Sequence, residues 1–275
     1  MNPEWIVLHH FVSPNDEDVG IQKRRLKAVL SQNPDPYHYV VFSDGSWWML
    51  HSPTKPIGHC GSDNIESSKN GATNFNSIGI CAMGNFEMGS MSSIQKGGLT
   101  RLLAKLCVDF EINPTKQICR HFDVVGRGVT ACPGRFYPFD ETIKKTTEIV
   151  KSRIELFLSS HDAILGGKPV ELNSPPQVLW GKAIVGARDF LEGLSYDVIW
   201  DQNNKTVTAI KTGSIISLSP GKPTIWVDGA EKEMSEYPIN LWGTVVLPVR
   251  SFLERLGYCV SWDEDSRKII AVKNL

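Results

Sequence analysis

The chain has 275 residues, of which 41% are hydrophobic and 21% are charged, and its formal net charge is −1 at pH 7. This composition is typical of a folded globular protein with one large or two ordinary domains. No basic cluster marks either half of the chain, so we predict no nucleic-acid partner. No stretch approaches roughly 18 consecutive apolar residues, so we predict no transmembrane helix.

The N-terminal stretch MNPEWIVLHHFVSPNDEDVG lacks the basic segment, apolar core and small-residue cleavage site of a secretory signal peptide. We therefore predict that the protein is made in the cytoplasm. Its six cysteines, at positions 60, 81, 107, 119, 132 and 259, show no pairing pattern and no CxxC motif. In a reducing compartment most of them should be buried thiols, with a disulfide among the first five as the open alternative.

Strands and helices alternate through the first part of the chain. Residues 5–8 are a short apolar run that predicts a buried strand, and His9 and His10 stand at its end. This alternation predicts an α/β fold in which helices flank a mixed central β-sheet. The other predicted elements are a hairpin over 36–50 that turns at Asp44-Gly45, a strand over 74–86, a helix over 99–110, a strand over 117–124 that delivers His121, and a helix over 141–160.

Residues 161–275 contain an internal repeat. The segment WGKAIVGARDFLEGLSYDVIWD (180–201) aligns with WGTVVLPVRSFLERLGYCVSWD (242–263), and 11 of these 22 positions are identical. Each copy predicts a strand, a short helix and a hairpin-like pair of strands. The segment SSHDAILGGKP has the composition of a linker, so we predict one domain over 1–160 and a smaller α+β domain of two repeats over 161–275.

Tryptophan and arginine recur at matching positions of the two copies, as the pairs Trp180/Trp242, Trp200/Trp262 and Arg188/Arg250. We favour core packing and a buried arginine–carboxylate pair as their roles, with an aromatic binding surface as the alternative. The repeat resembles the copper-amine-oxidase N-terminal-like module. That resemblance implies attachment to the cell envelope but no copper, since no set of histidine and cysteine ligands occurs in this part.

A histidine and a cysteine lie on either side of a glycine-containing loop in the stretch HFDVVGRGVTACPG. His121 follows an apolar run, and Cys132 precedes Pro-Gly, where the stiff backbone of a turn can aim a side chain. A third ligand is available from His9 or His10, whose side chains point to opposite faces of the first strand. Three protein ligands leave one tetrahedral position for water, as a catalytic zinc ion requires.

The motifs IVLHH, YHYVVFSDGSWW, NFNSIGICAMGNF and RHFDV…TACPGRFYP occur in this order over roughly residues 1–150. Together they resemble the type-2 N-acetylmuramoyl-L-alanine amidases, a family that includes the amidase lysozyme of T-odd coliphages and the peptidoglycan recognition proteins. The resemblance implies the amidase/peptidoglycan-recognition fold and one zinc ion bound by His9, His121 and Cys132. The family's ligand is the first histidine of the pair, which favours His9 over His10.

The same resemblance implies roles for residues around the zinc ion. Tyr37 matches the family's catalytic tyrosine, and Thr130 matches a position that is lysine or threonine in relatives, where it would position water or donate a hydrogen bond. His59 and Asn74 match positions in the substrate groove. Many bacterial members carry a glutamate after SIGI, whereas this chain has Cys81, so proton transfer is expected to depend on the zinc-bound water and Tyr37.

The implied reaction is zinc-dependent hydrolysis of the amide between N-acetylmuramic acid and L-alanine in bacterial peptidoglycan. With a wall-binding second domain, the protein resembles a phage or prophage endolysin that reaches the wall after release by a holin; autolysis and sporulation are open alternatives. The alternative function is a recognition module that binds muropeptides without cleaving them. A structural zinc site is a third hypothesis, but it would need a fourth protein ligand.

Overall fold

The computed structural model describes residues 1–15, 17–34 and 36–273. The chain forms two compact units, Met1–Glu148 and Ile149–Leu275. The first unit carries the candidate metal ligands, and the second carries the repeat.

The first unit is built on a five-stranded sheet. Its strands are β1 Trp5–Phe11, β2 Tyr39–Val41, β3 Trp47–Met49, β4 Ser77–Met83 and β5 Ile118–Arg120. The strand order is β3-β2-β4-β1-β5, with β1 parallel to β4 and β5, β2 parallel to β4, and β2 and β3 joined as an antiparallel hairpin. The sheet is therefore mixed, and the predicted α/β class is confirmed.

Four helices accompany this sheet in the described residues. They are α1 Val19–Leu30, α2 Ser93–Asp109, α3 His121–Val125 and α4 Phe139–Lys151, and a single 3-10 turn covers Ile65–Ser67. Side-chain caps mark where the two long helices that precede His121, α1 and α2, begin. Asp18 accepts hydrogen bonds from the amides of Gly20 and Ile21 at the start of α1, and Ser92 accepts one from Gln95 at the start of α2. These bonds satisfy amides that have no partner inside the helix.

Strand β1 lies inside the sheet and is buried on both faces. Ile6, Val7 and Leu8 have no exposed surface, as expected for a strand with parallel neighbours on either side. This burial accounts for the apolar run in the sequence. It also places His9 near the carboxyl end of a strand that is held between two others.

The predicted end of the first domain needs a correction. The helix predicted over 141–160 ends at Lys151, and Ile154–Phe157 forms a strand of the second unit, β6. Ile154 and Leu156 are fully buried, so the apolar side chains here alternate with the period of a strand rather than that of a helix. The chain therefore divides after Glu148, before the predicted boundary at 160/161.

In its described residues, the second unit forms three sheets and two short helices. None of the helices in the described parts of the chain combines the length and apolarity that a membrane crossing requires.

The elements of the second unit that follow β6 are β7 Asp162–Leu165, β8 Lys168–Glu171, β9 Gln177–Leu179, β10 Lys182–Gly186, α5 Ala187–Gly193, β11 Asp197–Asp201, β12 Thr206–Lys211, β13 Ser214–Leu218, β14 Thr224–Val227, β15 Ala230–Glu233, β16 Ile239–Leu241, β17 Thr244–Pro248, α6 Val249–Arg255, β18 Tyr258–Asp263 and β19 Lys268–Lys273.

The two copies of the repeat have the same elements, as predicted. In the first copy β10, α5, β11 and β12 follow one another, and β17, α6, β18 and β19 do so in the second. One sheet has the order β11-β12-β13-β14-β15, and another has the matching order β18-β19-β6-β7-β8. The second copy is thus completed by strands from the start of the unit, because β19 pairs antiparallel with β6.

The repeated tryptophans and arginines lie on the surface. Trp180 is 77% exposed and Trp242 is 98% exposed. Arg188 and Arg250 are also exposed, and each donates a hydrogen bond to the backbone carbonyl of the residue ten positions further along the chain. Our preferred interpretation, core packing with a buried ion pair, is therefore wrong for these four residues. It is confirmed for Trp200, which packs against the core of the second unit.

All six cysteines are free thiols. Cys60, Cys81, Cys107 and Cys119 are buried, which confirms the prediction for most of them. Cys132 is half-buried and Cys259 is exposed. The alternative, a disulfide among the first five cysteines, is not formed.

A glycine pair in α2 gives a direct test of how this helix packs on the β2–β3 hairpin. A Cβ atom on Gly98 would lie 2.1 Å from the carbonyl oxygen of Gly45, which is backbone and cannot move aside. A Cβ atom on Gly97 would meet only the flexible guanidinium of Arg101, at 3.3 Å. We expect Gly98→Ala to lower the free energy of unfolding by about 2 kcal/mol or more. Gly97→Ala should raise it by ~0.5–1 kcal/mol, since alanine favours the helix.

Urea unfolding followed by circular dichroism would measure both changes. Each variant is the control for the other, because they are neighbours in one helix and carry the same substitution. Equal effects of the two substitutions would contradict the close approach of Gly98 to the hairpin turn.

Candidate metal centre

The register of β1 and β5 brings two histidines side by side. Leu8 in β1 pairs with Arg120 in β5, so the next residue of each segment, His9 and His121, follows at the same level. Their ring centroids are 4.6 Å apart. The strand predicted over 117–124 ends at Arg120, and His121 is the first residue of α3.

The chain after α3 returns Cys132 to the same point. The amide of Phe122 donates a hydrogen bond to the carbonyl of Cys132, at 3.1 Å, which ties the loop back to the start of the helix. The Sγ atom of Cys132 lies 3.8 Å from Nδ1 of His9. The glycine-containing loop is therefore long enough to bring the cysteine back to β1.

Among the described residues, His9, His121 and Cys132 form a group that could hold a metal ion, with one ligand atom from each, all within 4.8 Å of one another. Bond lengths typical of zinc, at a tetrahedral angle, place a nitrogen and a sulfur ligand about 3.6 Å apart. The 3.8 Å between His9 and Cys132 fits that value. The donor set, two imidazoles and a thiol, is one that zinc prefers.

His10 does not join this group. Its ring Nδ1 accepts a hydrogen bond from the amide of Phe86, at 3.2 Å, and the ring packs near that phenylalanine. The side chain therefore points to the opposite side of β1, as alternation along a strand requires. The geometry distinguishes the two histidines and brings His9 to the other two ligands.

A chain of buried hydrogen bonds orients the ring of His9. Its Nε2 lies 3.2 Å from Nδ1 of His59, and Nε2 of His59 lies 3.1 Å from the carbonyl oxygen of Ser77. With Nδ1 of His9 facing the metal position, its Nε2–H donates to His59, whose own Nε2–H donates to Ser77. A partner of this kind fixes both the tautomer and the orientation of a metal-binding histidine.

His59 and Asn74 lie beneath the surface instead of lining a groove, and this corrects the predicted substrate contacts. They are 6% and 7% exposed. The side-chain oxygen of Asn74 accepts hydrogen bonds from the amides of His59 and Cys60, both at 2.9 Å, and its NH2 group donates to Asp63. Asn74 thus holds the backbone that carries His59, and His59 holds His9.

The support of His9 by His59 was missed in the sequence, although a signal for it was present. Gly79 lies in the middle of β4, where glycine weakens a strand unless another group approaches closely. A Cβ atom there would lie 2.6 Å from the ring of His59. Because the glycine of the SIGI motif has no side chain, the ring of His59 can occupy this space.

Tyr37 and Thr130 are near the three candidate ligands. The ring of Tyr37 is 5.2 Å from that of His9 between centroids. The pKa of Tyr37 is raised well above its usual value, first by the adjacent Cys81 and then by burial, so its hydroxyl stays protonated. The hydroxyl oxygen of Thr130 accepts a hydrogen bond from the amide of Cys132, at 3.2 Å, and a hydroxyl in that role can still donate its own hydrogen.

Burial keeps the histidines of this region neutral. It lowers the pKa of His9 well below its usual value and lowers that of His121 as well. It also lowers the pKa of His59 to about 3 and that of His38 to about 4. A neutral imidazole is the form that binds a metal ion.

Two family models match the chain. The N-acetylmuramoyl-L-alanine amidase model matches residues 1–135, and the copper amine oxidase N-terminal domain model matches residues 164–271. Both resemblances are confirmed. The three candidate ligands fall within the amidase match, and the repeat falls within the other. No curated protein matches the chain.

Several solved structures are similar to part of the chain. An endolysin N-acetylmuramoyl-L-alanine amidase, LysCS from Clostridium intestinale, is 26% identical, with 52% of this chain and 83% of that chain covered and a TM-score of 0.39. The Ph2119 endolysin of a Thermus scotoductus bacteriophage is 22% identical, with coverages of 53% and 86% and a TM-score of 0.37. Drosophila peptidoglycan recognition protein SD is 18% identical, with coverages of 49% and 76% and a TM-score of 0.39.

The buried histidines predict that the amidase-like unit, Met1–Glu148, is sensitive to acid. Below about pH 6.5 the unfolded chain takes up protons on these histidines, while His38 and His59 stay neutral in the fold until about pH 4 and 3. The unfolded state then binds more protons, so the free energy of unfolding falls as the pH falls from 6.5 toward 4. Each group contributes about 1.4 kcal/mol per pH unit in that range.

Urea unfolding of chelator-treated protein at pH 7.5 and 5.5 would measure this change. We expect a loss of about 2–3 kcal/mol at the lower pH from His38 and His59 together. The His38→Gln variant should show a smaller loss. The same free energy of unfolding at both pH values would contradict the neutral, buried state of these histidines.

The contact between His59 and His9 predicts a specific effect on metal affinity. His59→Ala leaves the Nε2–H of His9 without its acceptor, so zinc should bind about 10–100-fold more weakly. His38→Gln is the matched control, because His38 is equally buried but its ring bonds to the backbone of Lys55 and Gly79 instead of a ligand. Competition with a chromophoric chelator would measure both affinities, and an equal loss in the two variants would remove the case for an orienting role.

Proposed function

We propose that this protein is a zinc-dependent amidase that hydrolyses the bond between N-acetylmuramic acid and L-alanine in bacterial peptidoglycan. The zinc ion would be held by Nδ1 of His9, a ring nitrogen of His121 and Sγ of Cys132. The observation that carries the proposal is the convergence of these three ligand atoms within 4.8 Å inside the part of the chain that matches the amidase model.

The donor set supports a catalytic site over a structural one. In the described residues the ligand group has three members, whereas a structural zinc site normally uses four protein ligands. The fourth position of the tetrahedron is then available to water or to the substrate carbonyl. A zinc ion in such a site lowers the pKa of a bound water molecule and acts as a Lewis acid on the carbonyl that is attacked.

Tyr37 is suited to stabilise the oxyanion that develops on the substrate carbonyl. Its raised pKa keeps the phenol protonated at neutral pH, so it can donate a hydrogen bond to a negatively charged oxygen. The centroid of its ring is 5.2 Å from that of His9, and this distance supports a role beside the candidate ligands. We propose the same donor role for Thr130, whose hydroxyl is held by the amide of Cys132.

Cys81 occupies the place where a carboxylate base would otherwise follow SIGI. Burial raises the pKa of its thiol well above the usual value, so it stays protonated and cannot accept a proton at neutral pH. We therefore propose that the attacking water would lose its proton to solvent once bound zinc had lowered its pKa. Tyr37, which stays protonated, would act as a hydrogen-bond donor to the substrate carbonyl oxygen and not as the base. In this proposal His59 orients His9, and Asn74 holds His59.

The thiol of Cys132 gives metal binding a dependence on pH. Burial raises the pKa of this thiol to about 11, so without a cation it is protonated at neutral pH. Because zinc binds the thiolate, loading the site releases that proton. The metal should therefore bind more tightly as the pH rises through the neutral range.

We further propose that the protein acts as a phage or prophage endolysin. It would be made in the cytoplasm, released by a holin and directed to the wall by its second unit. The pairing of an amidase-like unit with a second, separately folded unit supports this role.

Mass spectrometry of purified peptidoglycan after digestion would test the amidase. We expect peptides with a new free N-terminal L-alanine when the protein is loaded with zinc, and none after treatment with a chelator. His121→Ala and Cys132→Ala should lose both stoichiometric zinc and cleavage. His10→Ala is the matched control and should keep both, because its side chain lies on the other face of β1.

Binding of muropeptides without any cleavage by the zinc-loaded protein would contradict the proposal. That result would favour a recognition protein in which the same three side chains serve binding alone. Cleavage that survives chelation would contradict the role of the metal.

A further inference from the structure

A cavity of about 150 Å³ opens on the outer face of the β9-β10-β17-β16 sheet. Side chains alternate across a strand, so Val185 and Leu247 enter the core of the second unit while Ile184 and Val246 face the cavity. Its floor is therefore apolar. Trp180 stands at its edge.

The position of Trp180 costs the protein local stability. Trp180 and Gly181 form the two-residue turn between β9 and β10, with φ angles of 50° and 75°. Such a turn favours asparagine before glycine, and a bulky residue in the left-handed region is unfavourable. A strained residue that is 77% exposed to water is not explained by packing.

The wall of the cavity carries two charged groups that form an ion pair and so have no net charge together. Lys182 and Glu236 are 3.0 Å apart and both line the cavity, together with the half-exposed ring of Tyr237. The pair offers hydrogen-bond donors and an acceptor without net charge. A ligand that carries several carboxylates or phosphates would find no matching cation there.

The second copy of the repeat has the same turn without these partners. Trp242 and Gly243 have φ angles of 50° and 90°, and Trp242 is 98% exposed. At the positions that correspond to Lys182, Glu236 and Tyr237, the sequence has Thr244, Ser174 and Pro175. The repeat thus provides an internal control, with one tryptophan at the edge of a cavity that has charged groups in its wall and one tryptophan without such partners.

We propose that this cavity binds one neutral N-acetylated sugar of a glycan strand. The inference rests on the proposed function, in which peptidoglycan is the substrate and its glycan strands are therefore close to the second unit. A cavity of about this volume holds a group of the size of benzene, so it would receive part of the sugar, with the N-acetyl methyl group on the apolar floor. The exposed indole of Trp180 would cover the C–H face of the sugar, and Lys182 and Glu236 would bond its hydroxyl and amide groups.

Titration of the full-length protein with a trimer of N-acetylglucosamine, followed by tryptophan fluorescence and calorimetry, would test this site. Trp180→Asn should weaken binding by at least about tenfold, because aromatic anchors contribute most to such contacts. Trp242→Asn should change the affinity by less than about twofold. Asparagine suits the left-handed turn, so both variants should unfold at the same temperature as the parent or higher, which separates loss of binding from loss of folding.

Three results would overturn the inference: no binding of the trimer, an equal loss of binding in both variants, or Trp180-dependent binding of a soluble stem peptide in its place. Cleavage of a soluble muropeptide by the zinc-loaded variants, measured in parallel, keeps the two proposals apart. Trp180→Asn should leave that cleavage unchanged. Sugar binding without amidase activity would contradict the proposed function alone, and amidase activity without Trp180-dependent sugar binding would contradict this inference alone.

Discussion

The pairing of β5 with β1 is the constraint on which the candidate metal centre depends. β5 has three residues, and its register with Ile6–Leu8 decides which residue follows beside His9. Side chains alternate along a strand, so a shift of β5 by one residue along β1 would bring His121 level with Leu8 or His10 instead of His9. The side chains of Leu8 and His10 point to the other face of the sheet, and the three candidate ligands could then not meet. The burial of Ile6–Leu8 and the hydrogen bonds of β1 to β4 hold this register.

Burial of histidine does two things at once in this unit. It keeps the rings neutral, and so ready to bind a cation, and it removes the water that would otherwise compete for their hydrogen bonds. Each ring nitrogen then needs a protein partner, which His59 and the carbonyl of Ser77 supply behind His9. A rigid, oriented ligand set follows from the same desolvation that makes the fold sensitive to acid.

The sequence predicted the features that depend on interactions between neighbouring residues. The strand before His9, the turn at Asp44-Gly45 and the opposite faces of His9 and His10 follow from apolar runs, turn chemistry and strand alternation. Sequence could not show contacts between distant segments. Glu155 is buried at an ion pair with Lys268, 113 residues away, and before that pairing is known Ile154–Phe157 fits a helix equally well. The exposure of Trp180 and the burial of His59 depend on packing of the same non-local kind.

The pairing of β6 with β19 determines where the second unit must begin and end if it is to be transferred to another protein. Ile154 pairs with Ala271, so the first and last strands are neighbours, while the second copy of the repeat is split between the two ends. A fragment cut where the family match begins, at residue 164, would lose β6 and leave β19 with an unpaired edge. A circular permutant that joins Lys273 to Ile154 and opens between β15 and β16 would instead carry two uninterrupted repeats in tandem.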